Sequence, residues 1–377
     1  MANSVIGALR RFLPAYLAGE PALNSAQRRA IWALEHCRTP LMGGHLWDCG
    51  KCGRREYHCH SCNHRSCPQC GRADTADWVN KQLDRRVGAP YFMVTFTLPQ
   101  PLRKLFFTPA AKPMYDLFFT AAAEALRPTL AGPRWLGAKI SGFSLIQHTW
   151  NQRLHFHPHL HAIVPGAGIA ASGRVVAVKR DNFLVPQRVL RRRFAAAFRA
   201  GLERMDTDLR DQLPDIEPQV WRTNWGVHLQ AFGNGENIIK YLGAYVCRTA
   251  IGDRRIVSVT DTQVTFTWKD RAHGGVQKKE TLPGAEFVAR YLRHVLPTGL
   301  KAVRHYGFCH PSAAAKRQRI AFHTGRELVI AEPAPPAIVQ GFRCACCGTV
   351  LRLAGTRLAR WKVSRAPPAS PALNSSQ

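Results

Sequence analysis

Seven of the chain's twelve cysteines fall between Cys37 and Cys70, six of them in short-spaced pairs, and no other feature of the 377 residues restricts folding as much. The block is rich in Cys, His, Gly and Arg and poor in aliphatic side chains, so it cannot close around a hydrocarbon core. Metal must take the core's place. Cys49-x-x-Cys52 and Cys67-x-x-Cys70 are two knuckles, each able to turn two thiolates toward a tetrahedral site. Cys37, Cys59 and Cys62, with His36, His45, His58, His60 and His64 nearby, leave ligands for a second ion. The expectation is one or two structural Zn2+, with ligands drawn from Cys37, Cys49, Cys52, Cys59, Cys62, Cys67 and Cys70. Four thiolates fill the coordination sphere and leave no position for a substrate, so such a site is structural. A disulfide framework is the weaker account, because residues 1–11 lack the apolar run and cleavage site of a secretory signal. The chain is expected in the cytoplasm, with the nucleoid when bound to DNA.

Fifty-three Lys and Arg against 24 Asp and Glu give a net charge of +29 and a pI near 10.4. The basic residues recur from Arg10 to Arg365 instead of gathering in one tail. A polyanion is the expected partner. No segment reaches the roughly 18 apolar residues of a spanning helix, and no basic amphipathic helix dominates, so nucleic acid is favoured over a membrane. Arg54, Arg55, Arg65 and Arg72 surround the knuckles, where they either grip DNA or form a solvated surface.

Apolar spacing predicts helices before Cys37, with Val5, Leu9, Phe12 and Tyr16 on one stripe and Ile31 and Leu34 on a second. It predicts a further helix over 73–87 and a strand over Tyr91–Leu98. A mostly helical stretch, interrupted by Pro109 and Pro113, should run from Leu102 to Leu130. Ile140–Trp150 and Phe156–Val164 read as antiparallel partners around the turn Asn151–Leu154. Helices are also expected over 188–205 and 286–295, a strand over 225–232, and a hairpin around Asp261-Thr262. Glu332-Pro-Ala-Pro-Pro336 reads as a stiff linker and 365–377 as a disordered tail. Between them lies Cys344-x-x-Cys347-Gly, which either stands alone as a degenerate knuckle or takes Cys309 and His310 as partners.

The hairpin carries the chemistry. His159 and His161 alternate with one apolar residue on a strand, so both imidazoles leave the same face. His148, on the adjoining strand, can complete a three-imidazole site, with His157 its competitor for that place. An ion held with open positions could bind a phosphodiester oxygen and polarise phosphorus. Three imidazoles suit zinc, whereas phosphate-bound sites commonly use magnesium or manganese. Tyr241 and Tyr245 lie four apart in a helical pattern, so their hydroxyls project from one face about a turn apart. Tyrosine is a weak nucleophile near its ordinary pKa of about 10, and a cation or a basic neighbour such as Lys240 or Arg248 would favour the phenolate.

These residues resemble a known family. His159-Leu-His161, Tyr241-Leu-Gly-Ala-Tyr245, the block ending Ser61-Cys-Asn-His-Arg-Ser-Cys-Pro-Gln-Cys70, His148-Thr-Trp150 and Leu296–Gly307 look like the two-tyrosine HUH transposases of the insertion-sequence-91 class. The resemblance runs from about His36 to Phe308. It implies an α+β fold, in which a small Cys-rich zinc-binding domain precedes an HUH-endonuclease palm, a central antiparallel sheet backed by helices. The expected division is a helical and zinc-binding domain over 1–88, the catalytic domain over 89–331, and a linker, Cys knuckle and basic tail over 332–377. The resemblance further implies nicking and rejoining of single-stranded DNA at element ends and target, through 5′-phosphotyrosine links, in rolling-circle style. Carried over by position, His148, His159 and His161 hold Mg2+ or Mn2+, and Tyr241 and Tyr245 are nucleophiles. Lys240, Arg248 and Arg65 are candidate DNA contacts. One departure is Ser66, which stands before Cys67-Pro where the family pattern has His; His64 lies two residues earlier, and the zinc ligands stay open. A replication initiator or relaxase would share the chemistry, and a non-enzymatic zinc-finger DNA binder would share the charge and the cysteines but not the histidine strand.

Overall fold

Two capped helices begin the chain. α1 (Val5–Leu17) starts at Ser4, whose hydroxyl accepts from the Gly7 amide, and α2 (Ser25–His36) starts at a reciprocal Asn24/Gln27 capping box. β1 (Gly44–Asp48) and β2 (Arg55–Cys59) form the hairpin of the Cys-rich block, followed by α3 (Ala73–Asp84) and β3 (Tyr91–Thr97). After a 3-10 segment over Gln100–Phe107 comes α4 (Ala111–Ala131), with Pro113 in its first turn, where no amide partner is lost. β4 (Ile140–Trp150), β5 (Phe156–Pro165), β6 (Ala167–Ile169) and β7 (Val175–Ala177) then lead to α5 (Gln187–Glu203), α6 (Thr207–Asp211) and β8 (Gly226–Ala231). The rest comprises α7 (Glu236–Val246), β9 (Ile256–Val259), β10 (Gln263–Asp270), β11 (Val276–Pro283), α8 (Gly284–Leu292), β12 (Val303–Gly307), α9 (Ala314–His323) and β13 (Arg352–Arg357). This computed structural model describes residues 3–70, 73–211, 213–223, 225–246, 249–270, 273–325 and 341–359. The expected linker over 332–336, the tail over 365–377, Arg72 and Arg248 lie outside them.

The architecture is α+β, as the sequence leads one to expect. A seven-stranded sheet runs β7-β6-β4-β5-β3-β8, with β12 also paired to β4, and every pairing is antiparallel. Strand parity divides its two faces. Phe92, Val94 and Phe96 of β3, Phe143 and Leu145 of β4, and Leu160, Ala162 and Val164 of β5 point into the main core. There they meet Phe118 and Phe119 of α4 and Phe194 and Phe198 of α5. The opposite parity, Tyr91, Met93, Ile146 and Ile163, packs against Ile238, Ile239 and Leu242 of α7. α7 therefore lies on the face that α4 and α5 leave open.

A second core joins distant parts of the chain. α1 and α2 pack against α8 and the β9-β10-β11 sheet, with Val5, Leu9, Phe12, Phe266, Phe287 and Tyr291 buried together. Contact there is close enough that a Cβ on Gly284 would fall 2.0 Å from Phe12. The tip of the β4-β5 turn enters the same core through Leu154, fully buried at φ +59°. A β-carbon in that left-handed region costs about 1–2 kcal/mol. The surroundings over-determine it: Asn151 accepts from the Arg153 and His155 amides, and His294 Nε2 reaches the Leu154 carbonyl at 3.1 Å. The turn that feeds β5 is thus anchored outside the sheet.

The Cys-rich block holds a connection that its own residues do not announce. β13, near the far end of the chain, pairs with the free edge of β1, from Gly44↔Arg357 to Asp48↔Arg352, making the sheet β13-β1-β2.

Candidate functional site

The β4-β5 register sets His148 directly opposite His159, and β5 sets His161 opposite Thr95 of β3. All three histidines share the face that carries Ile146 and Ile163, the face on which α7 rests. Their ligand nitrogens lie within 4.8 Å of one another, and their ring centroids are 4.8–5.3 Å apart. His148 and His161 are buried, and His159 is half-buried.

Neighbouring groups orient these rings toward one another. His159 Nδ1 donates to the His157 carbonyl at 2.7 Å, so its lone pair sits on Nε2, which lies 3.3 Å from His148 Nδ1. Thr95 Oγ1 is 3.0 Å from His161 Nδ1, which turns the other ring nitrogen toward the centre. Gln147 donates its amide to the backbone carbonyls of both His148 and His159, at 2.6 and 3.3 Å, tying the two strands at this level. Burial, reinforced by the charges His159 and His161 would carry, holds the His148 pKa well below the usual histidine value. Neutral imidazole is the metal-binding form. The donor set fits a divalent cation, with coordination positions left open for oxygen ligands.

His157 does not join the three. Its carbonyl supports His159, and burial lowers its own pKa to about 4. His155 also lies outside the group.

Tyr241 sits midway along α7 and is 37 % exposed, whereas Tyr245 lies in the helix's last turn. Ile238, Ile239 and Leu242 fix the helix on the sheet, and Gly243 brings it against α3, where an added Cβ would stand 2.1 Å from Val79 Cγ2. Lys240 is paired with Glu236 at 2.5 Å, one helical turn back. Arg65 donates to the Leu300 carbonyl at 2.9 Å and so ties the Cys-rich block to the segment before β12. Tyr291 adds a second tie, donating its hydroxyl to the Ser66 carbonyl at 2.7 Å.

The cysteines form two groups, and the split differs from the pairing that spacing suggests. Cys37, Cys62, Cys67 and Cys70 converge in one, and Cys49 and Cys52 join Cys344 and Cys347 in the other. The two N-terminal knuckles therefore serve separate centres, and Cys59, at the end of β2, belongs to neither. Cys309 and His310 do not accompany Cys344 and Cys347. His64 accepts from the Ser66 amide at 3.2 Å, shaping the loop beside the first group without entering it. Thr95 and Gln147 are contributors that sequence reasoning passed over, and the knuckle Cys344-x-x-Cys347 was recognised without its partners Cys49 and Cys52. Strand parity from Tyr91 places Thr95 on the histidine face, and Cys344-x-x-Cys347-Gly repeats the Cys49-x-x-Cys52-Gly spacing, so both signals were present.

An antiparallel palm bearing three convergent histidines, with a thiolate-rich module docked beside it, defines a zinc-braced α+β protein with a histidine cluster on one sheet face. A family model described as "Transposase zinc-binding domain" matches residues 8–98, and one described as "Putative transposase" matches residues 142–318. "Putative transposase y4qJ" of Sinorhizobium fredii is 38 % identical over 313 residues, covering 79 % of this chain and 78 % of that protein. "Transposase for insertion sequence element IS801" of Pseudomonas savastanoi pv. phaseolicola is 26 % identical over 362 residues, covering 89 % and 85 %. No solved structure matches the chain. The chain belongs to the insertion-sequence-91 family of transposases and carries that family's zinc-binding domain, with structural Zn2+, at its N-terminal end. Among the described residues no helix is long and apolar enough to cross a membrane.

Proposed function

We propose that the chain nicks and rejoins single-stranded DNA at element ends, with Tyr241 and Tyr245 as nucleophiles and His148, His159 and His161 as ligands of a Mg2+ or Mn2+ ion. The observation that carries this reading is the convergence of three imidazoles within 4.8 Å on the sheet face that α7 covers. Transposase relatives and the excess of basic side chains supply DNA as the partner. When bound, the cation would draw charge from a phosphodiester oxygen. The chain's own part is positional. Thr95 and the His157 carbonyl fix two imidazoles, and the apolar underside of α7 fixes the helix that bears the tyrosines. A tyrosine hydroxyl loses its proton and its oxygen bonds to phosphorus. The bond from phosphorus to the 3′-oxygen breaks, and that oxygen takes up a proton, giving a 5′-phosphotyrosine and a free 3′-hydroxyl. The phosphotyrosine keeps a bond of similar energy, which a 3′-hydroxyl can reverse to join strands. A second tyrosine one turn away offers a place for a second strand.

Labelled single-stranded oligonucleotides containing an element end, incubated with the protein and Mg2+ or Mn2+, should give an adduct that survives denaturation. The Tyr241→Phe, Tyr245→Phe double variant should lose it. An undiminished adduct in that variant would remove the tyrosines from the chemistry.

A further inference from the structure

We propose that Cys49, Cys52, Cys344 and Cys347 bind a second structural zinc ion, which clasps the two ends of the chain into one module. The site lies partly beyond the zinc-binding domain as its family model delimits it, since residues 8–98 contain Cys49 and Cys52 but not Cys344 or Cys347. It also stands independently of the DNA chemistry.

Three observations carry it. The first is the sulfur geometry. Cys49 and Cys347 Sγ are 3.4 Å apart, Cys52 and Cys344 3.6 Å, and Cys52 and Cys347 3.8 Å. A tetrahedron with Zn–S bonds of about 2.3 Å has edges of about 3.8 Å. The group within the zinc-binding domain shows the same spacing, with Cys37 to Cys70 at 3.5 Å and Cys62 to Cys70 at 3.6 Å.

The second is backbone identity between the two knuckles. In the first, the Gly53 amide donates to the Cys49 carbonyl at 2.9 Å and the Cys49 amide to the Arg54 carbonyl at 2.9 Å. In the second, the Gly348 amide donates to the Cys344 carbonyl at 2.9 Å and the Cys344 amide to the Thr349 carbonyl at 2.8 Å. Gly53 and Gly348 adopt left-handed φ of +68° and +71°. Two segments nearly 300 positions apart thus take one turn, each presenting two thiolates to the same point.

The third is the support around them. β13 pairs with β1, Cys49 and Cys344 are buried with Leu351, Trp47 packs on Phe342 at 4.9 Å, and the Ala345 amide donates to Glu56 at 3.2 Å. This small apolar cluster is too slight to hold the terminal segment by burial alone. A four-thiolate ion supplies what it lacks, and takes the sulfurs as thiolates, releasing their protons.

The test uses the full-length, reduced protein. Alkylation by N-ethylmaleimide under native conditions, read by peptide mass spectrometry, should label the exposed Cys346 and leave Cys49, Cys52, Cys344 and Cys347 protected. A zinc chelator should then expose these four together. Labelling of Cys344 and Cys347 alongside Cys346 while Cys49 and Cys52 stay protected would overturn the proposal, as would recovery of the four as disulfides. The Cys344→Ser, Cys347→Ser variant should carry one zinc ion fewer per chain than its parent and expose Cys49 and Cys52 while Cys62 and Cys67 remain protected. Unchanged zinc content, or continued protection of Cys49 and Cys52, would also overturn it.

Discussion

Individual side chains around the histidine centre act by orienting its rings. Thr95 holds His161 through Nδ1, and outer-shell partners of this kind typically contribute 10- to 100-fold in metal affinity. Thr95→Val should therefore weaken Mn2+ binding by about that factor while leaving the fold intact, as titration calorimetry and circular dichroism would report. His294 offers a pH signature away from the ligands. It is buried, its ring stacks on Phe156, and it contacts the Leu154 carbonyl and Thr149; burial lowers its pKa to about 4. Because the folded value lies below the unfolded one of about 6.5, its contribution is complete above pH 6.5 and is lost as pH falls toward 4. That difference sets an upper figure of about 3 kcal/mol. Urea unfolding between pH 7 and 4 should show a shallower decline for His294→Gln than for the parent; equal declines would take His294 out of the account. At this scale the histidines were legible from sequence because strand parity is local. Thr95 was not singled out, and Cys344 was noticed without its partners Cys49 and Cys52, because each gains its role only from a partner on another element.

Among elements, α7 depends on its seat. Gly243 lets it approach α3 so closely that a methyl group would press on Val79 and Trp78. Gly243→Ala removes a helix-weakening glycine, worth about 1 kcal/mol, yet forces an overpacked contact that costs about 1–3 kcal/mol. The packing term should win locally. The expected result is a modest fall in melting temperature and a larger fall in adduct yield, since α7 carries both tyrosines; a variant more stable and fully active would show that the contact relaxes freely. The long, apolar or strictly alternating elements, β3, β4, β5, α5 and α7, were readable from their periodicity. β11 was not, because Gln277-Lys-Lys-Glu280 is an exposed edge with almost no apolar alternation to mark it. β13 was hidden for a related reason: its side chains are mostly exposed, and only its pairing with β1 makes it a strand.

Across the whole molecule, charge and chemistry separate. The net charge of +29 is spread along the chain, whereas the histidine centre occupies one patch of one sheet face. Affinity for DNA should therefore come mainly from many Lys and Arg contacts with phosphates, each releasing counterions. For single strands the logarithm of the binding constant falls by about 0.7 per neutralised phosphate for each decade of salt, so six to ten contacts give a slope of about −4 to −7. The His159→Ala, His161→Ala variant should keep that slope and most of its affinity in fluorescence-anisotropy titrations, while the covalent adduct disappears. If the same variant loses binding in proportion to cleavage, the centre is itself a principal DNA anchor. If binding is insensitive to salt, the distributed charge serves some purpose other than gripping phosphates.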